Sequence, residues 1–187
     1  MLPQSFFDKD VVLLAQNLLG CELVHKTSAG ETAGIIVETE AYHHSDEASH
    51  SFKYKTKRTE VMFGPPGHAY VYFTYGMHWC FNITADKESI GAAVLIRALE
   101  PTRGTELMKK RRHKEYVHEL CSGPSKLVQA LGISKSDYGK PIYKGSLYVS
   151  PRKINNFQIV KGPRVGISKA KDKPWRFWIK DNHFISR

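Results

Sequence analysis

Three cysteines are all this 187-residue chain has, and Cys21, Cys80 and Cys121 stand far apart with no CxxC among them. An odd, scattered set argues against a disulfide framework or a zinc site and suits reduced thiols in a cytosolic protein. No apolar run approaches the roughly 20 residues that span a bilayer, so a membrane-embedded chain is not expected. The opening MLPQSFFDKD carries an acid where an export signal would place basic residues, so secretion is not expected either. Internal repeats, low-complexity tracts and a Gly/Ser/Pro linker are also lacking. The length suits one domain over 1–187 with a full core.

The second half is poor in acid. Residues 1–100 hold 8 Lys/Arg against 12 Asp/Glu, whereas residues 101–187 hold 20 against 6, which places the whole of the +10 formal charge in the later part. So uneven a balance favours a polyanionic partner, because each phosphate contact releases a counterion. The alternative is a solvated basic surface with no fixed partner.

Asp10 is placed to cap a helix with Val11, Leu14, Ala15, Leu18 and Leu19 on one face and Gly20 closing it. CELVH (21–25) and TAGIIVETEAY (32–42) read as strands of a hairpin around the SAGE turn. HAYVYFTY (68–75) and GAAVLIRAL (91–99) are rich in aromatic and β-branched residues and read as strands as well. A basic helix is expected after Pro101, running to about His113. Ser122 is expected to cap a second helix through SKLVQALG, with Pro124 in its first turn. FQIV (157–160) and WRFWI (175–179) are further strand candidates around RVGIS. Many strands and few helices imply an α+β fold with a curved, mainly antiparallel β-sheet flanked by a few helices.

If residues 36–42 are extended, Glu38, Glu40 and Tyr42 share one face, and Val37, Thr39 and Ala41 the other. Paired carboxylates two residues apart can bind a divalent metal, or one can act as general base beside an aromatic wall. A polar edge strand is the plainer alternative. In YVYFTYGMHWCFN (70–82), Tyr70 and Tyr72 share a face, and Tyr75 and Met77 flank Gly76, where the strand turns. Such a tip can wedge between base pairs, although aromatic strands are also ordinary core. Arg97 ends an apolar run and is expected to pair with a carboxylate; near Glu40 it can instead hold a phosphate or orient a water. CSGPSKL (121–127) puts backbone N–H groups and Lys126 at a helix N-terminus, a natural phosphate site. KYKTKR (53–58) is a second basic cluster, and either can be plain solvated surface.

In order along residues 10–180, VETEAY, DEASHS, T-x-R, YVYxxYGMxxCxN, VLIRALEP, CSGPSKL and RVGIS resemble the alkyladenine (3-methyladenine, methylpurine) DNA glycosylase family. The resemblance implies a monofunctional hydrolase of base excision repair that needs no metal or cofactor and flips a damaged purine from double-stranded DNA into an aromatic pocket. It implies Glu40 as general base, with Arg97 and the backbone carbonyl of Val165 holding the attacking water. Tyr42 would stack on one face of the base, His50 and Tyr72 on the other, and Asn82 would disfavour the amino group of guanine. Tyr75 would be the wedge, with Met77 and His78 beside it, and Thr56, Arg58 and Lys126 would contact the DNA. A monomer is implied, cytoplasmic or nucleoid in a bacterium and nuclear in a eukaryote. The resemblance assigns no functional residue within 134–163. Two other readings stand beside it: a metal-dependent nuclease using Glu38 and Glu40, and a non-catalytic nucleic-acid-binding module using the tyrosines to stack.

Overall fold

Asp10 starts the first regular helix. The computed structural model describes residues 1–187 apart from Tyr75, Met77 and Arg187, and in it the Asp10 carboxylate accepts from the N–H groups of Val12 (2.9 Å) and Leu13 (3.0 Å). Such a cap contributes about 1 kcal/mol by satisfying donors that have no partner within the helix. Helix α1 (Val11–Leu18) buries Val11, Leu14, Ala15 and Leu18. Gly20 follows at φ +82°, where a Cβ would meet the Ile154 carbonyl at 2.7 Å, so the chain leaves the helix at a position only glycine fills without strain.

Strands β1 (Glu22–Thr27) and β2 (Gly30–His43) form the expected hairpin, with a tighter turn than SAGE implied: the two ladders reach Thr27 and Gly30. The remaining strands are β3 (Ala69–Thr74), β4 (His78–Thr84), β5 (Ala92–Arg103), β6 (Leu147–Ser150), β7 (Ile159–Gly162) and β8 (Arg176–Ile179). They make one curled sheet in the order β3-β4-β5-β2-β1-β6, with β8 on β2 and β7 on β8, every pair antiparallel. Helices α2 (Thr105–Arg112) and α3 (Pro124–Leu131) pack against each other, and α3 also lies on β4 and β5. The fold is α+β, as the succession of strands implied.

Two local expectations are corrected. The chain does not turn helical after Pro101, because β5 runs on to Arg103, and Pro101 stands opposite Gly34 beside a register shift. A proline, which cannot donate to a ladder, is tolerated at such an irregularity. The helix begins only after Gly104 at φ +70°. Ser122 does not cap α3: the cap position is Gly123, which makes no side-chain bond, and Pro124 opens the helix. Strands β4 and β6 had no counterpart in the sequence reading.

β2 is the spine of the sheet. β5 runs along one edge, while the other edge is taken by β1 at residues 30–35 and by β8 at 38–40. Between those partners the pairing with β5 slips: Ile36 faces Leu99, Glu38 faces Ala98 and Thr39 faces Ile96, so Val37 and Arg97 both fall out of register. Bulges of this kind re-aim side chains. The Thr39 hydroxyl donates to the Ala15 carbonyl of α1 (2.9 Å), which puts that face of β2 on the core. Glu38, Glu40 and Tyr42 point the other way.

Candidate active site

Glu38 and Glu40 are both fully buried, an arrangement that is costly for carboxylates unless they are well paired. Arg97, 6% exposed, answers both: its Nε lies 3.0 Å from Glu38 Oε1 and its Nη1 3.3 Å from Glu40 Oε1. Burial pulls the guanidinium's pKa down, but Glu40 and then Glu38 more than offset this and leave it raised. Glu38 is heavily engaged. Besides Arg97 it accepts from Arg176 Nε (2.7 Å), the Ser186 hydroxyl (2.8 Å) and the Ser186 N–H (2.6 Å).

Glu40 is less fully engaged. Its Oε1 accepts from the Val165 N–H at 2.7 Å and forms an ion pair with Arg97, and its Oε2 accepts from the Tyr42 hydroxyl at 2.7 Å. A carboxylate has about four acceptor positions, so one on Oε2 is not used by any described residue. Burial, and secondarily the Glu40 charge, raise the Tyr42 pKa, which keeps that phenol protonated and donating. The resemblance pointed to the carbonyl of Val165; the group that reaches Glu40 in the fold is its amide.

The partners of Glu40 (Tyr42, Arg97 and Val165) line a cavity of about 560 Å³ together with His50, Tyr70, Tyr72 and Asn82, among others, and the Glu40 carboxylate lies buried behind them. β3 supplies Tyr70 and Tyr72, with ring centroids 5.3 Å apart and planes 31° apart. His50 lies edge-on to Tyr72 at 4.6 Å, with Nδ1 3.0 Å from the Tyr70 hydroxyl. Though His50 keeps an exposed edge, the protein around its ring desolvates it and Arg58 adds like charge, so its pKa is pulled down to about 4. The ring is therefore neutral near pH 7. Burial pushes the Tyr70 hydroxyl up to about 12. Asn82 on β4 donates its side-chain N–H to the Tyr70 carbonyl (3.0 Å), which fixes the orientation of its amide.

The other residues singled out in the sequence ring this cavity less closely. His78 is exposed and lines its rim; Lys126, in the first turn of α3, reaches Ser122 Oγ at 3.4 Å, while its neighbours Pro124 and Ser125 line the cavity. Thr56 and Arg58 sit on an exposed loop in which the Thr56 hydroxyl bonds to that of Thr59 (2.9 Å). Tyr138 donates to the Arg58 carbonyl at 3.1 Å, so a residue of the stretch 134–163 helps hold that loop. Tyr75 and Met77, the expected wedge and its neighbour, lie outside the described residues.

Sequence reasoning missed the groups behind the wall. Arg176 and Ser186 come to Glu38 from β8 and the C-terminal segment, and Asp46 pairs with Arg164. Only the short runs DEASHS and RVGIS hinted at the last pair. Among the described residues no three His, Cys, Asp or Glu side chains gather as metal ligands would, and no helix is long and apolar enough to cross a membrane.

The family model described as "Methylpurine-DNA glycosylase (MPG)" matches residues 5–183. A protein of Rhodopseudomonas palustris is 49% identical over 187 residues, covering 100% of this chain and 88% of its own length. One of Carboxydothermus hydrogenoformans is 47% identical over 189 residues, with 100% and 99% covered. A third, from Methanoculleus marisnigri, is 48% identical over 190 residues, with 100% and 98% covered. All three carry the name "Putative 3-methyladenine DNA glycosylase".

Proposed function

Since this chain belongs to the methylpurine-DNA glycosylase family and is thereby a hydrolase of N-glycosyl bonds in DNA, we propose that it acts in base excision repair on alkylated purines such as 3-methyladenine. All 187 residues serve as one glycosylase domain, acting as a monomer on duplex DNA. The observation that carries this reading is a buried carboxylate, Glu40, held by two donors and the Arg97 charge directly behind the wall of an aromatic cavity, with one acceptor position on Oε2 in hand.

Cleaving the bond from purine to C1′ passes through an oxocarbenium-like sugar, and a carboxylate can direct water onto it as in inverting glycosidases. Glu40 takes the water's proton, while Arg97 and the carbonyl of Val165 hold that water. A purine alkylated at N3 or N7 already carries positive charge and leaves with little help from an acid. Tyr42 takes one face of the flipped base, and His50 and Tyr72 the other; such contacts with a cationic ring are worth about 0.5–2 kcal/mol each. A neutral His50 adds no repulsion. Asn82 excludes the guanine amino group. Tyr75 fills the gap left in the duplex, with Met77 and His78 beside it, and Thr56, Arg58 and Lys126 contact the backbone. Unstacking costs a few kcal/mol, least at damaged pairs, and these contacts offset it.

The engagement of Glu38 by Arg97, Arg176 and Ser186, two of them cations, disfavours a nuclease using Glu38 and Glu40 as metal ligands. The test uses duplexes that each carry one lesion: 3-methyladenine, 7-methylguanine, hypoxanthine or ethenoadenine. Release of the base from at least one, with the strand uncut and the rate equal in excess EDTA, is expected. Strand scission, or loss on chelation restored by magnesium or manganese, would overturn the reading.

A further inference from the structure

Arg164 is 5% exposed and lines no part of the cavity, yet it touches three features of the site. Its Nη1 donates to the carbonyl of Ala41, the residue between Glu40 and Tyr42, at 2.9 Å, and also to Asp46. Its Nη2 donates to the Ala170 carbonyl (3.3 Å), spanning the segment 165–169 that lines the cavity. Its guanidinium carbon sits over the rings of Tyr42 and Trp175, 4.7 Å and 5.4 Å from their centroids. Val165, the next residue, gives Glu40 its 2.7 Å N–H bond.

A purely stabilising role accounts poorly for this residue. Burying an ion pair is often no better for stability than apolar packing, and here the Nε–H of Arg164 is buried without a partner among the described residues. What the guanidinium supplies is planar and multidentate: one rigid fork links β2, the 46–50 segment and the 164–170 segment. From this geometry we infer that Arg164, anchored by Asp46, is a positioning residue that sets the plane of Tyr42 and the reach of the Val165 N–H to Glu40. The inference rests on the proposed roles of Glu40 and Tyr42, and it accounts for DEASHS and RVGIS occurring in one chain: their charged members meet behind the pocket wall.

Arg164→Lys keeps a cation opposite Asp46 but loses the planar group and the fork. Single-turnover excision at saturating enzyme should fall about tenfold to a hundredfold, the scale of a misplacement near 1 Å in a reacting geometry. Affinity for undamaged duplex should stay within about twofold, because backbone contacts lie elsewhere. Asp46→Asn should lower excision the same way but less, again with undamaged-duplex affinity within about twofold, and decides alone if Arg164→Lys does not fold.

An unchanged rate in the folded variant would overturn the inference, as would equal losses of excision and of undamaged-duplex binding. Glu40→Gln, run alongside, separates the two levels of the reasoning. If it is inactive while Arg164→Lys is unaffected, the clamp alone is wrong; if it is active, the reading beneath the clamp is wrong.

Discussion

Replacing Glu40 by glutamine removes a charge and a basic oxygen while leaving the shape of the side chain almost unchanged, and the contacts around it dictate how the amide sits. The Val165 N–H donates at 2.7 Å and the Arg97 cation lies at 3.3 Å, so the amide oxygen must stay with them. The amide N–H₂ then faces the Tyr42 hydroxyl, which rotates from donor to acceptor. Arg97 keeps Glu38 at 3.0 Å and the Ser186 hydroxyl at 3.1 Å, so it is not stranded. The fold should lose about 1–3 kcal/mol, the scale of one weakened charged hydrogen bond. That is tolerable against the roughly 5–15 kcal/mol of a typical domain. The rate has no such reserve. General-base assistance is worth about 10²–10⁴-fold, or about 2.7–5.4 kcal/mol of barrier at 1.36 kcal/mol per decade. Single-turnover release of the base at saturating enzyme should fall by that factor, with circular dichroism unchanged. Affinity for lesion duplex should hold or tighten, because a negative charge near the phosphates is gone. A folded Glu40→Gln enzyme releasing base at near the wild-type rate would refute the assignment.

Glu38→Gln should behave differently: it sets an amide N–H₂ among donors from Arg97, Arg176 and Ser186, so thermal unfolding should show a loss of about 3–5 kcal/mol, the cost of breaking a buried pair. Its excision rate, measured well below the lowered melting point, should drop far less than that of Glu40→Gln. His50 has a folded pKa near 4 against about 6.5 unfolded, so between those values the unfolded chain binds the extra proton and stability falls as pH drops from 6.5 to 4. His50→Gln should flatten that part of the melting-temperature profile relative to wild type; parallel profiles would count against a desolvated ring. Tyr75→Ala should weaken excision from duplex more than binding to undamaged duplex, compared by single-turnover and titration assays, and equal losses would mark Tyr75 as core.

Much of the sheet could be read from the chain because β1, β2, β3 and β5 carry strong alternation or β-branched runs and α1 carries its own cap. β4 escaped because it follows the Gly76 turn at once, and HWCFNIT reads as the far side of an aromatic segment. β6 is only four residues long, and its pairing with β1 is settled by tertiary packing that local pattern does not encode. The misread of Pro101 has the same origin: a helix signal in the following basic run was overridden by a long ladder with β2. In the site, the common face of Glu38, Glu40 and Tyr42 follows from strand geometry alone. Their difference does not. That Glu38 takes four donors and Glu40 two depends on Ser186, 148 residues from Glu38, and on Val165, 125 residues from Glu40. The pairing of Asp46 with Arg164 is equally invisible to spacing.

The exchange of neighbours along one edge of β2 has a consequence for how the chain can vary. Residues 30–35 lean on β1 and, through it, on β6, while residues 38–40, which carry the carboxylates, lean on β8 and β7, with the slip at Val37 and Arg97 between them. The strand is thus a spliced beam, one half anchored in the scaffold and the other in the hairpin nearest the chemistry. Hydrogen exchange should show amides of the two halves opening as separate units. A β7–β8 hairpin transplanted from a relative would then alter the catalytic half while the β1–β6 half keeps its register, which leaves pocket and scaffold free to drift at different rates.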